Sequence, residues 1–334
     1  MQLRRRALVA GAGVFLAGQA RAADQVAVGV LRFVSSGGLF LAQEHGHFAR
    51  EGILPGLVFF DAAQPIAVAV ASGDLGFGVT SLTGGTLNLA GRGALKVVAS
   101  QGAERRGYRG TALLASNAAF ARGLTAPDKL PGAAVAITQV GSSQHYMFGQ
   151  IATAGHFDLG ALTLRPLQSV PNMIAALRGG QVDAALLPPQ FAKPLLARGE
   201  AHLLAYMSDI ADYQYGAVFA APKLVSGSPD LVRRFVRAYQ RGNADYAAAL
   251  LRTDADGELV VDEAAREAAA SIAKYVAPGD PDGTESVLAA AVFVDASGAL
   301  NLPGIDEQIA WYQAQKLVNP GVQSATFVDP SFLH

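Results

Sequence analysis

The chain has 334 residues, 26 basic and 27 acidic side chains, no cysteine and a hydrophobic share of 51%. With a mean hydropathy of +0.27 and 16% charged residues it is too apolar for an intrinsically disordered chain, and its length is typical of about two domains. The absence of cysteine excludes disulfide scaffolds, cysteine nucleophiles and lipid attachment through an N-terminal cysteine. Because basic and acidic side chains are nearly equal in number, the composition does not predict a basic surface for nucleic acid, and we expect no such partner.

Residues 1–22 are predicted to be an export signal. Three arginines at positions 4–6 form a basic start, Ala7–Ala17 is apolar, and Ala20-Arg21-Ala22 is a cleavage motif. The apolar stretch is shorter than the roughly 20 residues of a spanning helix, and the arginines fit both the twin-arginine and the general secretory pathway. The segment holds four arginines and no acid, so the mature chain would carry a net charge of −5. We expect a soluble periplasmic protein, cleaved near Ala22, that is not a lipoprotein.

The mature chain begins with strand and helix patterns in alternation, which is typical of an α/β fold with a mostly parallel sheet. Starting with a strand, the predicted elements of this first unit are Val26–Phe33, Leu39–Arg50, Leu57–Phe60, Pro65–Ser72, Gly76–Thr80, Thr83–Ala90 and Leu95–Ser100. Pro65 suits the first turn of its helix, and Gly73 suits the left-handed position after the helix end.

A second unit repeats this plan. It is expected to start near Gly110–Ser116. Its predicted strands are Val135–Thr138, Thr163–Pro166 and Val182–Leu187, and its predicted helices are Gln144–Ala154 and Asn172–Arg178. The stretch Ile66–Gly78 parallels Met173–Ala185, because each is an apolar helix, a glycine stop and a buried strand; the alternative is a chance likeness between two common units. Two similar lobes imply a ligand cleft between them.

The remainder of the chain is predicted to be helical, over Pro229–Leu251, Asp262–Val276 and Ile305–Lys316. It has no sheet of its own, so we expect it to pack on the first lobe and to make that lobe discontinuous. The expected organisation is a signal at 1–22, lobe 1 at 23–106 and 218–334, and lobe 2 at 107–217. The two hinge crossings are expected near Ala103–Gly110 and Gln214–Pro222.

Four stretches carry a family resemblance: Leu39–Ile53, Ala71–Thr80, Leu89–Val98 and Ala175–Ala185. In order and spacing they resemble periplasmic solute-binding proteins of the nitrate, sulfonate and taurine type. The resemblance implies a type II periplasmic binding fold, in which two α/β lobes close over a small molecule, and delivery to an ABC permease and ATPase in the inner membrane. The chain lacks the cysteine-rich motif of the pyrimidine-synthesising branch, and it lacks an obvious arginine clamp for a small inorganic anion.

Catalytic and metal motifs are missing from the sequence. No G-x-S-x-G nucleophile elbow occurs, and Gly141-Ser142-Ser143-Gln144 fails its spacing. Glu44, His45 and His47 lie one or two positions apart on a predicted helix, so their side chains are expected to point in different directions. We therefore predict no catalytic residue, no metal site and no cofactor.

Ligands of open α/β sheets bind beyond the carboxyl ends of strands, next to helix N-termini. That rule selects short hydroxyl, amide and loop residues as candidate ligand contacts, together with one carboxylate and one tyrosine: Ser35, Ser36, Asp61, Thr80, Ser81, Thr83, Gln139, Gly141, Ser142, Ser143, Gln144, Gln168, Pro189, Gln190 and Tyr215. Each serine or threonine could instead cap its own helix, and Asp61 could cap the helix at Pro65. Tyr213 and Tyr215 could stack on a planar ligand or pack at the hinge.

The sequence thus predicts a monomeric, non-catalytic substrate-binding component of an ABC importer that captures a small organic solute of acidic type, such as a sulfonate, a carboxylate or an aromatic acid. Two alternatives remain open at this stage. An exported enzyme on the same fold would show turnover, and a sensory ligand-binding module would lack a permease and an ATPase in its genomic neighbourhood.

Overall fold

The computed structural model describes residues 23–254 and 259–333, and the predicted export signal lies outside them. The first part of the chain forms β1 (Asp24–Leu31), α1 (Gly37–Glu44), α2 (His47–Arg50), β2 (Ile53–Phe60), α3 (Ala63–Ser72), β3 (Phe77–Ser81), α4 (Gly84–Gly91) and β4 (Lys96–Ser100). Strand β1 pairs in parallel with both β2 and β3. These elements are the start of lobe 1.

A short crossing strand, β5 (Ala103–Glu104), leads into the second sheet. Lobe 2 is built from β6 (Ala112–Ser116), α5 (Asn117–Ala121), β7 (Ala134–Ile137), α6 (Ser143–Ala154), β8 (Thr163–Pro166), α7 (Val170–Arg178), β9 (Ala184–Leu187), α8 (Pro189–Ala197), β10 (Ala201–Tyr206) and α9 (Met207–Ile210). Its sheet has the order β10-β6-β9-β7-β8.

The chain returns through β11 (Tyr213–Gln214), which pairs antiparallel with β5, and continues as β12 (Gly216–Ala220), α10 (Pro222–Gly227), α11 (Pro229–Leu250), α12 (Glu263–Val276), α13 (Gly283–Ala289) and α14 (Leu302–Ala314). Strand β12 inserts between β3 and β4 and completes the order β2-β1-β3-β12-β4. Because the chain re-enters lobe 1 beside the carboxyl ends of β3 and β4, with Gly216 opposite Ser81, β12 runs antiparallel to both neighbours.

The predicted internal repeat has a structural counterpart in both lobes. In lobe 1 the order β2-β1-β3 is parallel and α3 precedes β3, and in lobe 2 the order β8-β7-β9 is parallel and α7 precedes β9. The stretches Ile66–Gly78 and Met173–Ala185 therefore occupy equivalent places. The carboxyl ends of the parallel strands in the two lobes consequently lead into equivalent loops.

The prediction of one helix over Leu39–Arg50 is wrong. Helix α1 ends at Glu44, and Gly46, with φ of 70°, turns the chain before α2 begins at His47. The expected divergence of His45 and His47 is wrong for the same reason. The two residues lie on opposite sides of the glycine turn, and both rings hydrogen-bond to Asp245 of α11.

The C-terminal helices cover lobe 1 and also reach lobe 2. Helices α11 and α12 pack on α1, whereas α14 contacts α4 of lobe 1, α6 of lobe 2 and the crossing strand β11. The Tyr312 hydroxyl donates to the Ser142 carbonyl over 3.0 Å, and Trp311 lies against Gly149, where a Cβ atom would stand 2.3 Å from the indole. Within the described ranges no helix combines the length and the apolar character that a membrane crossing requires.

Candidate ligand-binding site

Two adjoining cavities lie between the lobes, beyond the carboxyl ends of the parallel strands. The first is lined mainly by polar loop residues from both lobes, and it extends from Asp61 and Gln64 to Thr138 and Gln139. The second is more apolar and includes Phe33, Met147, Leu186, Tyr215 and Val292. The cavities share four lining residues: Phe33, Ser81, Ser143 and Gln144. This is the place at which open α/β sheets bind ligands.

The structure places most of the predicted contact residues beside these cavities. The lining residues among them are Ser35, Asp61, Ser81, Thr83, Gln139, Ser142, Ser143, Gln144, Pro189, Gln190 and Tyr215. They come from both lobes, so a ligand in the cleft would be enclosed by elements that are distant in sequence.

Four predicted residues line neither cavity. Ser36 is fully buried and accepts a hydrogen bond from Gln101 over 3.0 Å. Thr80 is 1% exposed, and its hydroxyl has no hydrogen-bond partner among the described residues. Gly141 is part of the loop before α6 with φ of 83°, and Gln168 is exposed with φ of 71°. The backbone turns at Gly141 and Gln168 place the neighbouring residues, Ser142 and Ser169, at the starts of α6 and α7.

Two of the lining hydroxyl groups cap helices. Thr83 accepts from the Thr86 amide over 3.0 Å at the start of α4, and Ser142 accepts from the His145 amide over 3.4 Å at the start of α6. Ser143 is the first residue of α6 rather than its cap, and it lines both cavities. Asp61 does not cap α3, since the N-cap residue is Ala62, which makes no side-chain cap hydrogen bond.

The charge of the site comes from backbone and from one acid. Among the described residues that line the cavities, Asp61 is the only charged one. Burial lowers the pKa of His145, and its Nδ1 accepts from the Gly141 amide over 3.1 Å, so this ring is neutral at pH 7. Helices α3, α6, α7 and α8 start at cavity-lining residues, and α4 starts directly after one, Thr83. Their amide groups supply partial positive charge at the cleft.

The lobes contact each other directly across the cleft. Gln190 of lobe 2 accepts from the Val34 amide over 2.9 Å and donates to the Arg32 carbonyl over 2.8 Å. Phe33 meets Phe191 edge to face, with 5.7 Å between ring centroids. These contacts hold the two lobes together beside the second cavity, which Phe33 and Gln190 line.

Sequence reasoning missed the apolar side of the site. The sequence pattern predicts Phe33 in the first strand and Met147 inside a helix, yet both line the second cavity. The pattern predicts Thr138 as the end of a strand, although it lines the first cavity and its hydroxyl donates to Gln144 over 3.1 Å. The available signal was position, because each residue lies within a few residues of a predicted loop.

The two lobes and their cleft have the periplasmic binding protein fold. One similar solved structure is the ligand-binding component of an ABC-type import system from Staphylococcus aureus with zinc bound, with a TM-score of 0.71 and 15% identity over 93% of this chain and 98% of that chain. Another is the alkanesulfonate-binding protein SsuA from Xanthomonas axonopodis pv. citri bound to MOPS, with a TM-score of 0.69 and 21% identity over 92% of this chain and 99% of that chain. The periplasmic nitrate-binding protein NrtA from Synechocystis is also similar, with a TM-score of 0.62 and 12% identity over 80% of this chain and 69% of that chain.

The family assignment rests on sequence. A family profile described as NMT1/THI5 like matches residues 34–249, and the chain belongs to that family. A comparison with curated protein sequences gave no significant match. The predicted resemblance and the predicted fold class, two α/β lobes joined by two crossings with a helical tail, are both confirmed.

Proposed function

We propose that this protein is the periplasmic substrate-binding component of an ABC importer and that it holds a small organic acid in the cleft between its lobes. The observation that carries the proposal is the pair of adjoining cavities, lined by both lobes at the carboxyl ends of their strands. In this role the protein would bind and deliver a solute without changing it. Sulfonate-binding and nitrate-binding proteins are among the similar structures, which supports an anionic ligand.

The two cavities suit the two ends of such a molecule. The acidic head would lie where the cavities meet, at the start of α6 beside Ser143, because free amide groups of a helix N-terminus favour an anion. Asp61 also lines the first cavity and would repel a second negative charge there. The organic body would pack on Phe33, Met147 and Tyr215 in the second cavity.

A thermal-shift screen of sulfonates, carboxylates and aromatic acids tests this proposal. A true ligand at 100 times its dissociation constant is expected to stabilise the protein by about 2.7 kcal/mol. Gln144 lines both cavities, so Gln144→Ala is expected to weaken binding about tenfold, equivalent to roughly 1.4 kcal/mol. Gln181→Ala changes an exposed glutamine of lobe 2 and serves as the matched control.

Three results of the screen would count against the proposal. Stabilisation by inorganic anions alone would contradict an organic ligand, and equal effects of the Gln144 and Gln181 variants would contradict the location. Conversion of the stabilising compound during incubation would instead support the exported enzyme that the sequence left open.

Closure of the lobes should depend on Gln190, because its amide bridges two backbone groups of lobe 1. Removing two hydrogen bonds of about 0.5–1.5 kcal/mol each should shift the ligand-free protein towards an open form. In small-angle scattering, Gln190→Ala without ligand is therefore expected to show a larger radius of gyration than the parent, and ligand affinity should fall. A ligand contact without a role in closure would lower affinity and leave the ligand-free scattering profile unchanged.

A further inference from the structure

A cluster of potential metal ligands lies on lobe 1, outside the residues that line the cleft. His45 Nδ1 and His47 Nε2 each lie 2.6 Å from the same carboxylate oxygen, Asp245 Oδ2. The three donor atoms are all within 4.8 Å of one another. The proposed transport function makes no use of this cluster.

The backbone brings these side chains together. His45 directly follows α1 and His47 begins α2, and the left-handed turn at Gly46 lets both rings reach Asp245. Asp245 reaches them from α11, which packs tightly on α1. A Cβ atom at Gly242 would lie 2.1 Å from the Gly38 carbonyl oxygen, so the absence of a side chain at Gly242 permits the close approach.

The donor set is one that transition metals accept. Two imidazole nitrogens and one carboxylate oxygen form a typical three-ligand zinc site, with the remaining position open to water. The side chains of His45 and Asp245 are 40% and 34% exposed, so an ion can enter from solvent. We propose that His45, His47 and Asp245 bind a divalent first-row transition metal ion, with Zn²⁺ as the probe, and that the ion links the α1–α2 turn to α11.

One neighbour opposes metal binding and makes the proposal testable. Arg50 Nη2 lies 2.5 Å from His47 Nδ1, so in the metal-free state this nitrogen accepts and Nε2 carries the proton. A metal on Nε2 requires the proton on Nδ1, and the guanidinium must then turn away. The Arg50 side chain thus competes with the ion through both its charge and its hydrogen bond.

Calorimetric titration of untagged, chelator-treated protein with ZnCl₂ tests the site. We expect one ion per chain, and at least a tenfold weaker affinity in His45→Ala, His47→Ala and Asp245→Asn. Arg50→Ala should bind Zn²⁺ several-fold more tightly than the parent, an increase that a folding defect cannot produce. His202→Ala is the control, since that histidine stacks on Phe120 in lobe 2.

The opposing results are equally specific. Absence of saturable binding at millimolar Zn²⁺, or an unchanged affinity in Asp245→Asn, would overturn the proposal. So would a loss of affinity in His202→Ala equal to that in His45→Ala, because binding would then be an unspecific property of surface histidines. None of these readouts depends on the cleft ligand, so the site can fail without affecting the proposed transport role.

Discussion

Replacement of Gly242 by alanine is expected to lower the free energy of unfolding by about 3 kcal/mol, at the upper end of the range for overpacked cores. The added Cβ atom would lie 2.1 Å from the Gly38 carbonyl oxygen and 2.7 Å from both the amide nitrogen and the Cβ of Ala42. Two of these three atoms are backbone, so no rotamer change can relieve the clash. Helix α11 would have to move away from α1, and the buried Tyr246 and Asn243 would move with it.

A matched glycine separates this clash from the general effect of a glycine-to-alanine change. Gly227 at the end of α10 is exposed, and no atom lies within 4 Å of a Cβ built there. Gly227→Ala should change stability by less than about 0.5 kcal/mol, as is usual for surface substitutions. Chemical denaturation of both variants checks the difference. Equal stabilities would show that α1 and α11 are not in close contact at Gly242.

The sequence predicted the parts of the fold that follow local patterns. Strand and helix alternation located β1 to β4 and β7 to β9, and the repeated helix, glycine and strand units indicated two lobes. The missed elements depend on distant partners. Strand β12 is a five-residue segment whose neighbours, β3 and β4, lie more than a hundred residues away. Helix α8 begins at Pro189, directly after Pro188, and contains a third proline at Pro194, which hid its helical pattern.

The candidate site was predictable by topology but not by chemistry. The rule about carboxyl ends of strands leads to Ser81, Ser143 and Gln144, which line both cavities. It cannot tell a lining residue from a buried one, as Ser36 and Thr80 show, because burial depends on the packing of other elements. The convergence of His45 and His47 on Asp245 was likewise invisible, since it requires both the Gly46 turn and a helix about two hundred residues later.

The crossing between the lobes contains a buried acid, Glu104, which pairs with Tyr213 across β5 and β11. The carboxylate is 1% exposed and accepts hydrogen bonds from Thr111, over 3.1 Å from the amide and 2.6 Å from the hydroxyl. Burial raises the pKa of Glu104 above its ordinary value of 4.5, and the hydrogen bonds from Thr111 offset only part of this effect. Ionisation of Glu104 at the crossing is therefore unfavourable in the folded protein.

Glu104→Gln is expected to stabilise the protein by about 1–3 kcal/mol at pH 8, because the amide retains an acceptor for Thr111 and carries no charge. With a native pKa above 4.5, the folded state holds the proton more tightly than the unfolded state, so the contribution of Glu104 to stability falls as pH rises from about 4.5 through the native pKa. When melting temperatures are measured between pH 5 and 8, Glu104→Gln should lack the loss of stability with rising pH that the parent protein shows.

Glu44 is a control whose pKa shift has the opposite sign to that of Glu104. Burial raises its pKa, but hydrogen bonds from Lys274 and Tyr275 outweigh that effect and lower the pKa below 4.5, so Glu44 stabilises the folded state above that pH. Glu44→Gln should therefore cost up to about 1 kcal/mol at pH 8, as expected for a largely exposed ion pair. Suppose that Glu104→Gln destabilised the protein at pH 8 as much as Glu44→Gln does. The charged form of Glu104 would then stabilise the folded state, which would contradict the expectation that burial disfavours this charge.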